Sequence, residues 1–503
     1  MTPRVRTPRR GLGAAMAGLA AALVVPLAGG AAGAAGQSVP GAATAVERKT
    51  EAAVLAQVAD DGRATFWLRL DSTADLRQAT ARAPRDKAER GRAVYRALTE
   101  HAEESQAGLV ALLEDAGAEY ESFWISNSIR VTAGREVLEA LATRPEVVAV
   151  EAEDVLPARA AEPPAAPEAA GADSGAGANA VGWNITDIRA DDVWNDLGVR
   201  GEGVVIASLK DGVDHTHPAL AASYRGRSAT GAVNHNHNWY DPGRVCPTAG
   251  TPCDASYNGM ATRVAGVLVG DDGAGNQIGV APGARWIAAA ACDATSCYES
   301  SLMAAGQWIL APTDLAGRNP RPDLAPDIVN NSWVAPSRAG WYDSVINAWA
   351  AAGIFTTYAA MAWDGACGEV YYPGELANSY TVGSYNASGL WYGSARGDGA
   401  DIKPDITAPG TGIRSSVPGG GYDTYASTYL AAAHASGTVA LMWSAAPELK
   451  GDLPTTRRLL GDAARDTGDL TCGGTVDDNP TYGEGRLDAY AAVTAAVAAR
   501  STD

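Results

Sequence analysis

The side chains of this chain that could carry acyl-transfer chemistry are few. Such chemistry needs a hydroxyl or thiol nucleophile, a base to take its proton, and a carboxylate to orient the base. Lys210 ends an apolar run and is followed by Asp211 and Asp214. Either carboxylate can neutralise its ammonium, and neither has a histidine placed for it to orient. Ser427 and Tyr429 open a long Ala-rich segment. Ser427 is a candidate nucleophile, and Tyr429 with Lys210 would form a nucleophile–base pair, since tyrosine nucleophiles and tuned lysines both occur. Among the six histidines, His215 and His217 alternate as on one face of an extended strand, and so do His235 and His237. A solvated or hydrogen-bonded role suits these pairs better than metal binding. Asp271-Asp-Gly-Ala-Gly-Asn276 is a turn able to hold a structural calcium, although it lacks the spacing of an EF-hand loop and no ligand set can be assigned. No other cofactor is implied.

These residues must be positioned by a large domain, because short buried-strand and helix patterns alternate from Gly182 to about Ala499. Val204 to Leu209, Trp286 to Ala291, Asp327 to Trp333, Ile354 to Ala360 and Tyr380 to Gly383 are apolar runs of the kind that make buried parallel strands. Arg263 to Val269, Glu299 to Leu310, Tyr342 to Ala351, Tyr429 to Ser444 and Leu487 to Ala498 read as helices. The pattern predicts an α/β fold, a parallel sheet covered by helices on both faces. In such a sheet, sites form at the carboxyl ends of strands, which is where Lys210 falls.

A smaller unit precedes it, over residues 51–156. Ala64 to Leu70 reads as a strand and Arg85 to Ala116 as a long amphipathic helix. Glu119 to Ile125 and Ser128 to Thr132 form a hairpin, Arg135 to Thr143 a helix, and Val147 to Glu151 a last strand. The β-α-β-β-α-β order is ferredoxin-like, an α+β arrangement. Residues 157–181, rich in Pro, Ala and Gly, are a linker that cannot build a core. Residues 1–35 have the make-up of a signal peptide: Arg4, Arg6, Arg9 and Arg10, then an apolar stretch from Gly11, then small residues from Ala32 to Ala35. The Arg9-Arg10 pair hints at twin-arginine export, but its flanks match poorly and the route stays open. The expectation is a secreted protein with no membrane association once the signal is removed.

Three segments together resemble the subtilisin-like serine proteases, the subtilase family. They are Gly201 to Pro218, Asn258-Gly-Met260-Ala-Thr-Arg-Val-Ala-Gly266 and Ser427-Thr-Tyr429-Leu-Ala-Ala-Ala-His434-Ala-Ser-Gly437. Val280-Ala-Pro-Gly283, Asn330-Asn-Ser-Trp333 and Lys403 to Gly410 extend the resemblance across the large domain, and the N-terminal unit is similar to the family's inhibitory propeptide. The resemblance implies a subtilisin-like α/β fold and an endopeptidase ancestry. It also exposes what is missing. Lys210 stands where the family has its aspartate, Met260 in place of the histidine, and Tyr429 in place of the serine. Ala362 stands in place of the oxyanion asparagine. Methionine cannot accept a proton, lysine cannot stabilise an imidazolium, and the tyrosine oxygen reaches roughly 4 Å beyond a serine oxygen. His434 matches a helix histidine of the family that is not catalytic.

These departures cluster around the cleft while the strands and cysteines form a coherent set, which points to selected loss of catalysis rather than decay. A groove edge is expected at Trp333, Val334 and Ala335, where the family's substrate-binding glycines are replaced and Pro336 removes a backbone donor. A protein or peptide ligand and the chain's own propeptide-like unit are the expected occupants of the cleft. A net charge of −19 excludes nucleic acid and anionic membranes as partners. Six cysteines in an exported chain suggest three disulfides. Proximity favours Cys246 with Cys253, Cys292 with Cys297 and Cys367 with Cys472, among fifteen pairings. If the Lys210 ammonium is buried, its replacement by methionine is expected to be tolerated or stabilising.

Overall fold

The computed structural model describes residues 44–81, 86–158, 181–336, 339–361, 365–398 and 402–500. The segments read as signal peptide and nearly all of the linker lie outside the described residues, as does Ala362. From Thr44 onward the described chain is one compact body.

Its N-terminal part runs α1 (Ala52–Asp61), β1 (Ala64–Leu70), α2 (Lys87–Asp115), β2 (Glu119–Phe123), β3 (Ser128–Ala133), α3 (Arg135–Ala142) and β4 (Val147–Ala152). The sheet order is β2-β3-β1-β4 with every neighbour antiparallel, as in a split β-α-β fold. Alternation sets the faces: Phe66, Leu68, Ile129 and Val131 turn inward against Leu109, Leu113 and Leu138 of the helices. Trp67 and Phe123 turn the other way. After β4 the chain continues extended as β5 (Val155–Pro157).

The large domain is built on β6 (Val205–Lys210), β7 (Trp239–Tyr240), β8 (Arg285–Ala290), β10 (Ile328–Asn331), β11 (Phe355–Ala359), β12 (Tyr380–Asn386), β13 (Gly389–Leu390) and β14 (Ile406–Pro409). The order is β13-β12-β11-β10-β6-β8-β7, with β14 also beside β12. All pairs are parallel except β12 with β13. Strands β10, β11 and β14 are buried at every residue, so they lack a polar/apolar alternation, and the polar Asn330, Asn331 and Thr357 within them are hydrogen-bonded in the interior. Helices α4 (Met260–Val269) and α7 (Thr428–Ala445) cover one face. Helices α5 (Glu299–Leu310) and α6 (Asp343–Ala351) cover the other. Helix α7 is buried at seventeen of its eighteen residues, so it is apolar or small on all sides. The mainly parallel sheet between helical layers is the subtilisin-like α/β fold.

The N-terminal part packs on α5 and α6. Trp67, Val94, Leu98, Phe123 and Ile125 share one apolar cluster with Trp308, Ile346 and Trp349. Strand β5 pairs antiparallel with β9 (Ser296–Tyr298), Val155 opposite Tyr298 and Pro157 opposite Ser296. The expected disulfide pairing is the one the structure forms: Cys246–Cys253, Cys292–Cys297 and Cys367–Cys472. The second closes the turn that leads into β9, and the third joins residues 105 apart in sequence.

Candidate functional site

Strand β6 delivers Lys210 to its carboxyl end, where the chain turns through Asp211 and Gly212. Gly212 has φ of +86°, and a Cβ there would lie 2.2 Å from the Cys253 carbonyl oxygen, so only glycine fits. The turn is further held by the Ala255 N–H, donated to the Asp211 carbonyl at 2.9 Å. Met260 is the first residue of α4, behind Gly259 in the left-handed region. Tyr429 is the second residue of α7, behind Ser427 as N-cap. Lys210, Met260 and Tyr429 are all buried.

The lysine is therefore a cation inside the protein. Its Nζ lies 3.1 Å from Asp211 Oδ2 and 5.4 Å from the centre of the Tyr429 ring. An ion pair on one side and an aromatic face on the other compensate part of its desolvation. Asp211 is wholly buried, and neither of its carboxylate oxygens accepts a hydrogen bond from a backbone N–H or hydroxyl among the described residues. Burial pushes its carboxyl up to about 7, against the pull of Lys210. Asp214, the other sequence candidate, does not pair with Lys210. Its oxygens accept from Thr216 and from the Gly419 N–H. Lys210, Asp211, Met260 and Tyr429 thus bring an ammonium, a carboxyl near neutrality, a thioether and a phenol to these positions.

Ser427 is fully buried and its Oγ accepts the Tyr429 N–H at 3.2 Å, the work of an N-cap. His434, five residues into the same helix from Tyr429, is committed elsewhere: Nδ1–H donates to the Leu430 carbonyl and Nε2 accepts from the Asn184 amide. Burial pushes its imidazole down to about 4, so it is neutral and structural, as its position in the sequence implied.

The groove-edge expectation is corrected. Trp333, Val334 and Ala335 are 1%, 3% and 0% exposed, and the Ala335 N–H is donated to the Tyr372 carbonyl at 2.7 Å. The Tyr372 ring lies beside that of Trp333, with centres 6.4 Å apart. The strand that pairs with the N-terminal part is β9, outside the main sheet, and its partner is β5 of the same chain. The four paired histidines take hydrogen-bonded roles, as expected from the sequence, although none of them lies on a strand. His215 faces His235 with ring centres 5.1 Å apart, and the Tyr224 hydroxyl bonds His235 Nδ1. His217 caps a short helix through the Ala219 N–H and donates to the Gly421 carbonyl, while His237 donates to the Asn319 carbonyl. In the Asp271–Asn276 turn, burial raises Asp272 but hydrogen bonds from Asn276, Ala274 and Tyr422 outweigh it and hold the carboxyl at about 2. Those oxygens are spent on the turn itself.

The sheet order, and the meeting of the end of β6 with the N-terminus of α7, fit one class of protein. The subtilase family profile matches residues 201–485, and the chain belongs to that family. It is 36% identical over 431 residues to Bacillopeptidase F of Bacillus subtilis, a match covering 80% of this chain and 28% of that protein. Subtilisin E of the same species is 27% identical over 293 residues, 57% of this chain and 68% of the relative. Subtilisin Savinase of Lederbergia lenta is 27% identical over 295 residues, 56% and 94% of the two chains. This chain thus spans a little over a quarter of Bacillopeptidase F.

Proposed function

We propose that this chain is an exported, non-hydrolytic subtilase whose work is binding or regulation, with its residues 44–158 acting as a propeptide-like cover. The observation that carries the reading is the Lys210–Asp211–Tyr429 contact at the position of a protease triad. The ammonium is held against a carboxylate and a ring, Met260 offers no proton acceptor, and no imidazole stands between them. Loss of a triad costs on the order of 10⁶ in rate, and loss of an oxyanion donor about 10²–10³, so turnover should sit at background. The relatives' names describe peptidases, and the scaffold supports descent from one. A binding role uses what remains: a rigid sheet, an edge strand β9 that accepts a backbone partner, and a disulfide that fixes it.

The test is hydrolysis of a denatured generic protein substrate by purified chain and by Tyr429→Phe. Background rates in both agree with the reading. Turnover abolished by Tyr429→Phe would establish tyrosine chemistry instead, and turnover abolished by Ser427→Ala would establish a displaced serine.

A further inference from the structure

Glu299 opens helix α5 and is 0% exposed, although it belongs to the large domain's surface layer. What buries it is the N-terminal part. Its Oε1 is 2.5 Å from Arg69 Nη2 on β1, and its Oε2 accepts the Asp154 N–H at 3.3 Å. Its own backbone N–H is donated to the Asp154 carbonyl, one step before β5 begins its pairing with β9. Both carboxylate oxygens therefore answer to residues of 44–158.

The surroundings are unbalanced in charge. Arg69 also pairs with Glu151 at 2.7 Å and lies over the Trp67 ring. Arg130 pairs with Glu153 at 2.8 Å, and Glu153 accepts the Ser300 N–H. Asp154 accepts the Trp341 indole N–H, and Glu121 on β2 lies near Arg130 and Glu153. Five carboxylates, Glu121, Glu151, Glu153, Asp154 and Glu299, thus face two guanidinium groups. One arginine cannot fully compensate a wholly buried carboxylate while it also serves Glu151.

We propose that Arg69 and Glu299 form a proton-linked latch, which holds residues 44–158 over the β9 edge in acid and loosens as the pH rises. In the docked state burial pushes Glu299 up to about 7, opposed by Arg69 and the Asp154 N–H. Once the cover lifts, Glu299 is left in the first turn of α5, facing water, and returns toward its ordinary value of 4.5. The docked form therefore binds the proton more tightly. Opening releases it between pH 4.5 and 7, so opening becomes more favourable by at most about tenfold per pH unit across that window and levels off above it. A partner that adds a strand to β9 would meet a free edge more often in neutral than in acid surroundings. The latch depends on the docked cover alone, whether or not the cleft hydrolyses anything.

Hydrogen exchange on the intact chain reads the latch directly, with protection at residues 153–158 and 296–300 corrected for the intrinsic pH dependence of exchange. The expected result is a fall of about tenfold or more in protection from pH 5 to pH 7.5. In Glu299→Gln, which keeps an acceptor for Arg69 and carries no charge, protection should stay at the low-pH value throughout. Glu121→Gln should retain most of the fall. Unchanged protection at Phe355–Ala359 in each variant shows that the core is intact. Flat protection in the parent would overturn the latch. So would a Glu299→Gln variant loosened at every pH, which would make Glu299 an ordinary ion-pair partner.

Discussion

Replacement of Lys210 by methionine has an effect whose size is set by pH, and the structure gives its shape. The Asp211 carboxyl ordinarily titrates at 3.8 and is pushed up to about 7 in the folded chain, mainly by burial. Between those values the folded state holds a proton that the unfolded state has lost, so stability falls as pH rises from about 4 to 7 and then levels off. At ~1.4 kcal/mol per pKa unit the burden is at most about 4 kcal/mol above pH 7. Lys210 is what keeps Asp211 from titrating higher still. In Lys210→Met that pull is gone, the folded carboxyl keeps its proton beyond pH 7, and the decline continues. Parent and variant should therefore run parallel from pH 5 to 6.5. Above pH 7 the variant should lose a further ~1.4 kcal/mol per pH unit. Below pH 7 the parent carries a buried ammonium beside a neutral carboxyl, so the methionine there is tolerated or stabilising. The sequence-based expectation of a tolerated Lys210→Met thus holds only on the acid side, because Asp211 is left alone on the other. Urea unfolding from pH 5 to 9 measures it, with Lys210→Met/Asp211→Asn as the control that should not show the extra decline. A stability difference between parent and Lys210→Met that does not change from pH 6 to 9 would refute the pairing.

Three further outcomes follow from the same structure. Made in a protease-deficient host, the chain should keep residues 44–158 covalently attached, and intact-mass analysis should show any native-host cut falling within 157–181; concentration-independent self-cleavage would contradict this. Opening Cys367–Cys472 by a double serine substitution should cost about 3–5 kcal/mol in urea, since it closes a loop of 105 residues, whereas opening Cys246–Cys253, which closes seven, should cost less. Lys210→Asp, Met260→His, Tyr429→Ser and Ala362→Asn together should give at most weak peptidase activity. Activity should rise only when Asp211→Thr, Ala261→Gly, Ser427→Gly and Ala433→Pro are added, because the neighbours set placement to about 0.5 Å.

The strands of the parallel sheet were legible because burial on both faces removes the polar/apolar alternation and leaves mainly apolar and β-branched residues, and helix α5 was read at its true bounds. The order of those strands was not, since nothing in the run Val204 to Leu209 tells which neighbours it takes. Lys210, Met260 and Tyr429 could be set against the family's motifs because the residues flanking them keep the family pattern. The choice of Asp211 over Asp214 as the partner of Lys210 depends on the Gly212 turn and on Thr216 and Gly419 claiming Asp214. The burial of Trp333 to Ala335 was not legible, because Tyr372, whose carbonyl accepts the Ala335 N–H, is remote in sequence. Glu299 gave only the signal of an acidic residue opening a helix. Its partner Arg69 is 230 residues away and belongs to another part of the chain.

The central claim is that the cleft holds no activated nucleophile. Incubating the purified full chain with a fluorophosphonate probe, with the four- and eightfold restored variants alongside, tests it most directly, because the probe reports an activated serine without any assumption about substrate. The expected result is no adduct on the parent by intact mass. In the restored variants an adduct should form only on the hydroxyl introduced by Tyr429→Ser, and only where the base has been regained with it. An adduct on the unaltered chain, at Ser427 or any other residue of the cleft, would contradict the claim.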